Sequence, residues 1–471
     1  MSVNKKESSV SISAKSFVTA VLILLFLMVI TFVLTFTIPS GMYEREIIEG
    51  QEIVIANTYK ETEGGLSIFK WLLSPVLVLF NEGNVTIIAI IIFLIVIGGT
   101  FNSLEKSGIL KYMLSKISYK YKDKKYKMLC LVTLFFMTLG TCVGSFEECV
   151  PMVPIAIALS YSMGWDALVG LGMSLLAVGF GFATGVLNPF TVGVAQKLAN
   201  LPMFSGLSFR IISYILIYAI LVFFLVTYAK KIEKKSKKDL QTNSYDTISY
   251  EKDIKKDKAL LYFACILGLG MIFILSSTFL TFLQDVIMPF IALMFLLAGI
   301  VSVISSGVKF KEFLSNFKTG VIGILPAILL ILMASSIKYT MVEGQIMDTI
   351  LFKAIKIIET TPQEIAVLLI YLLILIMNFF IASGSAKAFL LMPLITPLVD
   401  LAGISRQVSI LAFAYGDGFS NLFYPTNPVL LISLGLAGVS FGKWAKWSIK
   451  IQGTILIVTS LLLLIANSIG Y

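Results

Sequence analysis

GSFEECVPMVP at residues 144–154 and GFGFATGVLNP at 179–189 have a second copy of their layout in GSAKAFLLMP at 384–393 and GDGFSNLFYPTNP at 416–428. In each half a small polar knot opens an apolar run. A glycine-rich interruption ending in Asn-Pro then follows at nearly the same spacing, at Asn188-Pro189 and at Asn427-Pro428. All four interruptions lie inside hydrophobic sequence. Within a bilayer, non-helical backbone is tolerated only where protein or a water-lined cavity satisfies its polar groups. Paired interruptions at corresponding positions of two halves therefore predict a carrier with its central site between them.

Composition sets the solvent. The 471 residues are 58% hydrophobic and 14% charged, with a mean hydropathy of +0.93, which excludes an ordinary soluble domain. Stretches long enough to span occur at about 17–38, 85–104, 209–228, 259–277, 287–305, 319–337 and 451–469. The first reads as a retained helix and not a signal peptide, because it has no small-residue cleavage pattern and runs into Ile38-Pro39-Ser40-Gly41. The net charge of +10 does not signal nucleic acid. Its lysines lie in the loops Lys106 to Lys127 and Lys230 to Lys258 and at Lys443, Lys446 and Lys450, which the positive-inside rule retains in the cytoplasm. Gly41 to Gly65, carrying Glu44, Glu46, Glu49, Glu52, Glu61 and Glu63, reads as external. With no histidine, and with Cys130, Cys142, Cys149 and Cys265 lacking a CxxC spacing, neither a metal site nor a cofactor is expected.

The pattern predicts an all-α polytopic membrane protein of two inverted-topology repeats, multi-pass in a bacterial cytoplasmic membrane with its N-terminus in the cytoplasm. Residues 1–228 form the first repeat, with a re-entrant helical hairpin at about 128–163 and a broken helix at about 165–200. Residues 229–258 form a Lys-rich cytoplasmic linker, and 259–471 hold a connecting helix and the second repeat, with a hairpin at about 363–403 and a broken helix at about 407–441. Limbs of roughly 16 residues reach only about 24 Å as helix, short of a hydrocarbon core of about 30 Å, which favours hairpins over full spans. Residues 66–80, with Trp71 and Pro75, read as an interfacial segment.

A charge at the centre of a spanning helix costs about 2.5–3.5 kcal/mol on the insertion scale. Glu147, Glu148, Lys387 and Asp417 must therefore pair or face a cavity, unless the first tip is a solvated loop. Gly144 and Ser145 at one tip, and Ser383, Gly384 and Ser385 at the other, begin helices whose free N–H groups can hold a carboxylate. Small residues there also suit close helix packing. Asn188 and Asn427 either cap the backbone or present their amides to substrate. Ser420, Asn421, Thr426 and Asn427 crowd enough polarity into the second break for one or two to touch a ligand or ion. Aligning the tips sets Glu147 against Lys387, the two candidates for coupling or charge compensation. The ammonium either stands where other carriers bind a coupling sodium ion or forms an ion pair with an acidic side chain.

At these same residues the sequence resembles the YfcC family within the C4-dicarboxylate anaerobic carrier group of the ion transporter superfamily. The resemblance rests on IPSGMYER at 38–45, GSFEECVPMVP at 144–154, GFGFATGVLNPFTVGVAQ at 179–196 and IASGSAKAFLLMPLITPL at 381–398, and above all on the stretch 401–444. It implies an elevator-type carrier, often a homodimer, with a scaffold domain and a transport domain holding both hairpins and both broken helices. Relatives include arginine/ornithine exchangers similar to ArcD. The chain departs from the family pattern at both tips. Ser145-Phe146 precede Glu147-Glu148 where a glycine-rich GEE followed by threonine is usual, and Lys387 stands where glutamine is common.

A cationic amino acid needs donors for its α-carboxylate and acids for its amines. The two tips supply the first; Glu147, Glu148 and Asp417 against Lys387 supply the second, so the expected substrate is a basic amino acid in exchange. The alternative is a carboxylate or peptide-derivative carrier coupled to sodium or protons, with Lys387 as the anion's partner. A channel would need a continuous polar stripe. An intramembrane enzyme would need a nucleophile with a base, or a metal motif, and neither pattern is present in the sequence. The expected partners are thus an amino acid and the lipid bilayer.

Overall fold

The computed structural model describes residues 14–48, 51–80, 84–121, 124–144, 146–239, 252–277 and 287–471. Helix α1 (Ala14–Thr37) leads into two short antiparallel pairs, β1 (Gly41–Met42) with β4 (Lys60–Glu61) and β2 (Arg45–Ile48) with β3 (Gln51–Val54). Then follow α2 (Ile68–Leu77), α3 (Asn84–Lys106), α4 (Ile109–Tyr121) and α5 (Lys125–Val143). A 3₁₀ turn at Glu147–Met152 precedes α6 (Val153–Ser162). The first broken helix comprises α7 (Ala167–Leu171), a π-helical turn (Gly172–Leu176), α8 (Ala177–Thr184), a second π turn (Pro189–Gly193) and α9 (Val194–Leu198). Long helices α10 (Leu207–Asp239), α11 (Ile254–Ser277), α12 (Ile287–Ser305) and α13 (Phe310–Glu343) come next, then α14 (Met347–Glu359). The second set is α15 (Gln363–Phe380), α16 (Gly384–Leu401), α17 (Arg406–Ser420) and α18 (Pro428–Leu436), closed by α19 (Phe441–Ser468).

The protein is an all-α membrane protein. Among the described residues seven helical segments are long and apolar enough to cross a bilayer: Lys125–Cys142, Ala167–Leu198, Leu207–Lys234, Phe310–Glu343, Gln363–Phe380, Gly384–Leu401 and Phe441–Ser468. Their burial differs in a telling way. Ala167–Val186 is wholly buried, as is α17 from Val408 to Ser420. By contrast α1, α10 and α19 expose Leu22, Phe26, Phe36, Ile211, Ile215, Phe223, Ile457 and Leu461, the apolar face a helix turns to hydrocarbon. The two broken helices are thus the protein's centre, and the unbroken helices its jacket.

Glycine sets the closeness of that centre. A Cβ added at Gly418 would lie 2.3 Å from the Ala183 Cα, so α17 and α8 cross backbone to backbone. A Cβ at Gly181 would sit 1.9 Å from the Met137 carbonyl oxygen and one at Gly140 2.0 Å from that of Val178, which seats α5 on α8. α15 packs along α17 in the corresponding way. Around this centre α13 packs on α3 and α1, and α12 on α3 and α11.

Several bounds differ from the sequence reading. α5 has 19 residues, about 28 Å, three more than the roughly 16 expected of that limb, and α15 and α16 have 18 each, about 27 Å. α10 continues to Asp239 and α11 starts at Ile254, so much of the segment 229–258 is helix, and residues 240–251 of that linker lie outside the described ones. The lysine-rich loop holds α4, and residues 343–362 hold α14. The 66–80 segment is α2, exposing Phe69, Leu72 and Val76 while Trp71 Nε1 donates to the Met28 carbonyl at 3.1 Å and its ring stacks on Phe32. The acidic loop forms the strands and docks on α14: Arg45 Nη2 pairs with Asp348 (3.0 and 2.8 Å), and the Tyr59 ring stacks on Phe352 at 4.0 Å. The Lys5 and Lys6 of the expected cytoplasmic N-terminus lie outside the described residues.

Candidate functional site at the two breaks

Each break is held open by a polar side chain from a preceding helix, α5 at the first and α15 at the second. At the first, α8 ends on Gly185 with φ +50°, a left-handed conformation that glycine adopts without strain. The freed backbone is satisfied by α5: the Val186 N–H donates to Thr141 Oγ1 (2.9 Å) and the Leu187 N–H to the Thr141 carbonyl (2.9 Å). Asn188 Oδ1 then accepts from the N–H groups of Phe190 (3.0 Å) and Thr191 (3.3 Å), so the helix restarts from a capped end with Pro189 at its first position.

At the second break α15 supplies Asn378, whose Nδ2 donates to the Asp417 carbonyl (2.9 Å), Ser420 Oγ (2.6 Å) and Asn421 Oδ1 (3.0 Å). Asn427 repeats the role of Asn188: its Oδ1 caps Leu430 N–H at 3.2 Å, and its Nδ2 donates to Asn421 Oδ1 at 2.8 Å. Ser420 Oγ donates back to the Gly416 carbonyl at 2.7 Å. Of the polar cluster expected here, Ser420, Asn421 and Asn427 knit the break together, while Thr426 is buried with its Oγ1 unpartnered.

Into this frame α16 projects Lys387. Its Nζ donates to Asp417 Oδ1 at 2.5 Å and to Asn378 Oδ1, and both charged side chains are fully buried. Lys387 is therefore the partner of Asp417. A buried pair survives only with close geometry and further hydrogen bonds, and Asn378 provides those. The second carboxylate oxygen, Asp417 Oδ2, has no hydrogen-bond partner. It faces the tip: a Cβ added at Gly384 would lie 2.6 Å from Asp417 Oδ2 and 2.6 Å from Thr191 Cγ2. Thr191 Oγ1 is likewise buried and unpartnered.

The first tip meets its own break in the same manner. Gly144 has φ +72°, and a Cβ there would lie 2.4 Å from Asn188 Oδ1 and 3.0 Å from the Phe190 ring. The second tip thus touches both breaks, and the first touches Asn188. Above the buried floor lies a more open rim: Ser383 is exposed, Gly384, Ser385 and Phe423 to Pro425 are half-buried, and the Phe379 and Tyr424 rings meet edge-on at 5.3 Å. Ser383 Oγ caps α16 through the Ala386 N–H.

Of the sequence candidates, Gly144, Asn188, Gly384, Lys387, Asp417, Ser420, Asn421 and Asn427 are brought together, with Ser383, Ser385 and Thr426 at the margins. Ser145 lies outside the described residues, as do the side chains of Glu147 and Glu148, whose backbone opens the 3₁₀ turn. Sequence reasoning missed Asn378, Thr141 and Thr191. An asparagine inside an otherwise apolar limb was the available signal for the first. Away from the breaks, Arg406 and Asp400 pair at the partly exposed start of α17, at 2.8 and 2.6 Å.

Among solved structures the chain is similar to the YdaH transporter of Alcanivorax borkumensis, with 18% identity, a TM-score of 0.43, and coverage of 97% of this chain and 98% of that one. It is also similar to MtrF of Neisseria gonorrhoeae, of a class of antimetabolite efflux pumps, with 16% identity, a TM-score of 0.44, and coverage of 95% and 94%. A protein of Escherichia coli strain K12 named "Putative basic amino acid antiporter YfcC" is 28% identical over 400 residues, 82% of this chain and 79% of that one. An uncharacterised protein of Haemophilus influenzae is 25% identical over 399 residues, 82% and 77% of the two chains. The profile of the DcuC family, described as C4-dicarboxylate anaerobic carrier, matches residues 17–468. The chain belongs to that family and is a multi-pass membrane transporter.

Proposed function

We propose that this transporter exchanges basic amino acids of the arginine/ornithine type at the two breaks, by rigid-body alternating access of the hairpins and broken helices against the remaining helices. The observation that carries this reading is the Lys387–Asp417 pair, which cancels itself and leaves Asp417 Oδ2 as a free acceptor beneath Gly384. With that pair neutral, the sign of the site rests on Glu147 and Glu148 at the other tip, and it is negative. A substrate ammonium or guanidinium would be drawn to those carboxylates and to Asp417 Oδ2. Its α-carboxylate would meet the N–H groups that begin α16, at Gly384 and Ser385. The name of the Escherichia coli relative supports the same substrate class.

Coupling follows from the same pair. A tethered ammonium already occupies the oxygens of Asp417 and Asn378, so no sodium ion is needed to neutralise the buried carboxylate during the crossing. Transport is then exchange, in a bacterial cytoplasmic membrane, with the subunits of a homodimer each working alone. The family description favours one other reading, a C4-dicarboxylate held by Lys387. The two separate cleanly: the cation reading requires Glu147 or Glu148 and the anion reading requires a free Lys387. Uptake of labelled arginine into proteoliposomes preloaded with ornithine tests the proposal. Uptake that needs internal ornithine supports it, and uptake of a labelled dicarboxylate in its place would reject it.

A further inference from the structure

Arg210, in the first turn of α10, is buried to 1% exposure and has no ion-pair partner among the described residues. Its Nε and Nη2 have no hydrogen-bond partner, and the Tyr471 hydroxyl lies beside the group. These two nitrogens form one edge of the guanidinium, the edge whose parallel N–H bonds grip a carboxylate in bidentate fashion. The protein itself shows that use: Arg406 Nε and Nη2 hold Asp400 Oδ1 and Oδ2 at 2.8 and 2.6 Å on the surface. At Arg210 the same fork points into the interior and meets no acid. An unpaired buried charge is among the most destabilising features a protein can carry.

Beside this arginine are the hydroxyls of Tyr415 and Tyr471. Tyr415 on α17 donates to Ser213 Oγ at 2.6 Å, one turn along α10 from Arg210. Tyr471, which follows α19, donates to the Gly206 carbonyl at 2.5 Å, with Gln407 beside it. Three elements, α10, α17 and the segment after α19, thus converge on a positive charge that none of them neutralises. It lies apart from the pair at the breaks: Tyr415 sits two residues before Asp417 on α17, and in a helix side chains two apart point to different faces.

We infer that the Arg210 fork is an anion site, taking one small monovalent anion, a halide or a simple carboxylate, between α10, α17 and Tyr471. The anion neutralises the guanidinium and ties the jacket helix α10 to the central helix α17. This inference is independent of which substrate the breaks carry.

Thermal unfolding of the purified full-length protein in detergent tests it, using sodium chloride, sodium formate and sodium gluconate at equal ionic strength. The midpoint should rise with chloride or formate concentration and saturate, with gluconate, too large for a closed site, as the baseline. A shift with chloride alone identifies an inorganic anion, and a shift with formate as well identifies a carboxylate. Arg210→Met, which keeps the bulk and removes the charge, should fold and lose the anion dependence entirely. Should Arg210→Met not fold, Arg210→Lys takes its place: the charge stays but the fork is gone, and the apparent anion affinity should fall at least tenfold. Identical wild-type midpoints in all three salts would overturn the inference, as would a dependence that survives unchanged in the arginine variants.

Discussion

Replacing Lys387 with methionine keeps the length of the side chain and deletes its ammonium. The Asp417 side chain is fully buried and its Oδ2 already lacks a partner, so the substitution leaves both carboxylate oxygens without a counter-ion. Breaking one side of a buried pair in this way costs about 3–5 kcal/mol, roughly two to three and a half powers of ten in the ratio of folded to unfolded protein. Asp417→Asn should cost a similar amount by stranding the ammonium. The double variant Lys387→Met/Asp417→Asn removes both charges and keeps the volume, so it should lie within about 2 kcal/mol of wild type. The coupling energy of the cycle, the two single costs less that of the double variant, is then at least about 4 kcal/mol. Denaturant titration in mixed micelles, followed by tryptophan fluorescence, reads all four proteins. A Lys387→Met variant within about 1 kcal/mol of wild type, or a cycle whose single effects simply add, would refute the reasoning that these charges face each other out of water.

Gly384→Ala places a Cβ 2.6 Å from Asp417 Oδ2 and from Thr191 Cγ2, so it should destabilise by about 1–3 kcal/mol and stop transport, whereas Gly453→Ala, which meets nothing within 4 Å on an ordinary helical backbone, should do neither in the same assays. Asn188→Ala and Asn427→Ala each remove an N-cap and should cost about 1 kcal/mol apiece; a loss of transport much larger than the loss of folded protein would add a substrate contact to the capping role. The Lys116 ammonium donates to Asp257 at the partly exposed start of α11 and holds its carboxyl below the usual aspartate value. Because the folded value is the lower one, the pair stabilises fully at neutral pH and its contribution disappears as the pH falls below the ordinary value and through the lowered one. Asp257→Asn should therefore cost under about 1 kcal/mol at pH 7, less in high salt, and progressively less as the pH falls through the lowered value, as read by thermal melts across pH.

The chain announced its breaks plainly, because only Gly, Asn and Pro in apolar sequence produce them. Gly185, Asn188-Pro189 and Asn427-Pro428 stand where the helices stop and restart. The pairing of Lys387 was harder to read. Aligning the repeats set it opposite Glu147, but pairing is decided by which helices touch, and α16 meets α17 at Asp417. Asn378 escaped notice because one amide near the end of an eighteen-residue helix, beyond the polar Gln363 and Glu364 of its first turn, barely alters the look of a spanning helix, yet it is the residue that satisfies the break. The helices α4 and α14 were obscured by their lysines, which mark a segment as outside the hydrocarbon without deciding whether it is helical. Arg210 sits among residues that read as an ordinary helix start, and only the packing of α10 against α17 and Tyr471 buries it.

Equilibrium binding of labelled arginine and labelled succinate to the purified protein, measured in sodium-free buffer with wild type, Glu147→Gln, Glu148→Gln and Asp417→Asn, bears most directly on the proposed site. Arginine should bind without sodium, ornithine should displace it, and at least one of the three acid variants should lose it while remaining folded. Succinate binding to wild type with no binding of arginine would contradict the basic amino-acid reading and hand the site to Lys387.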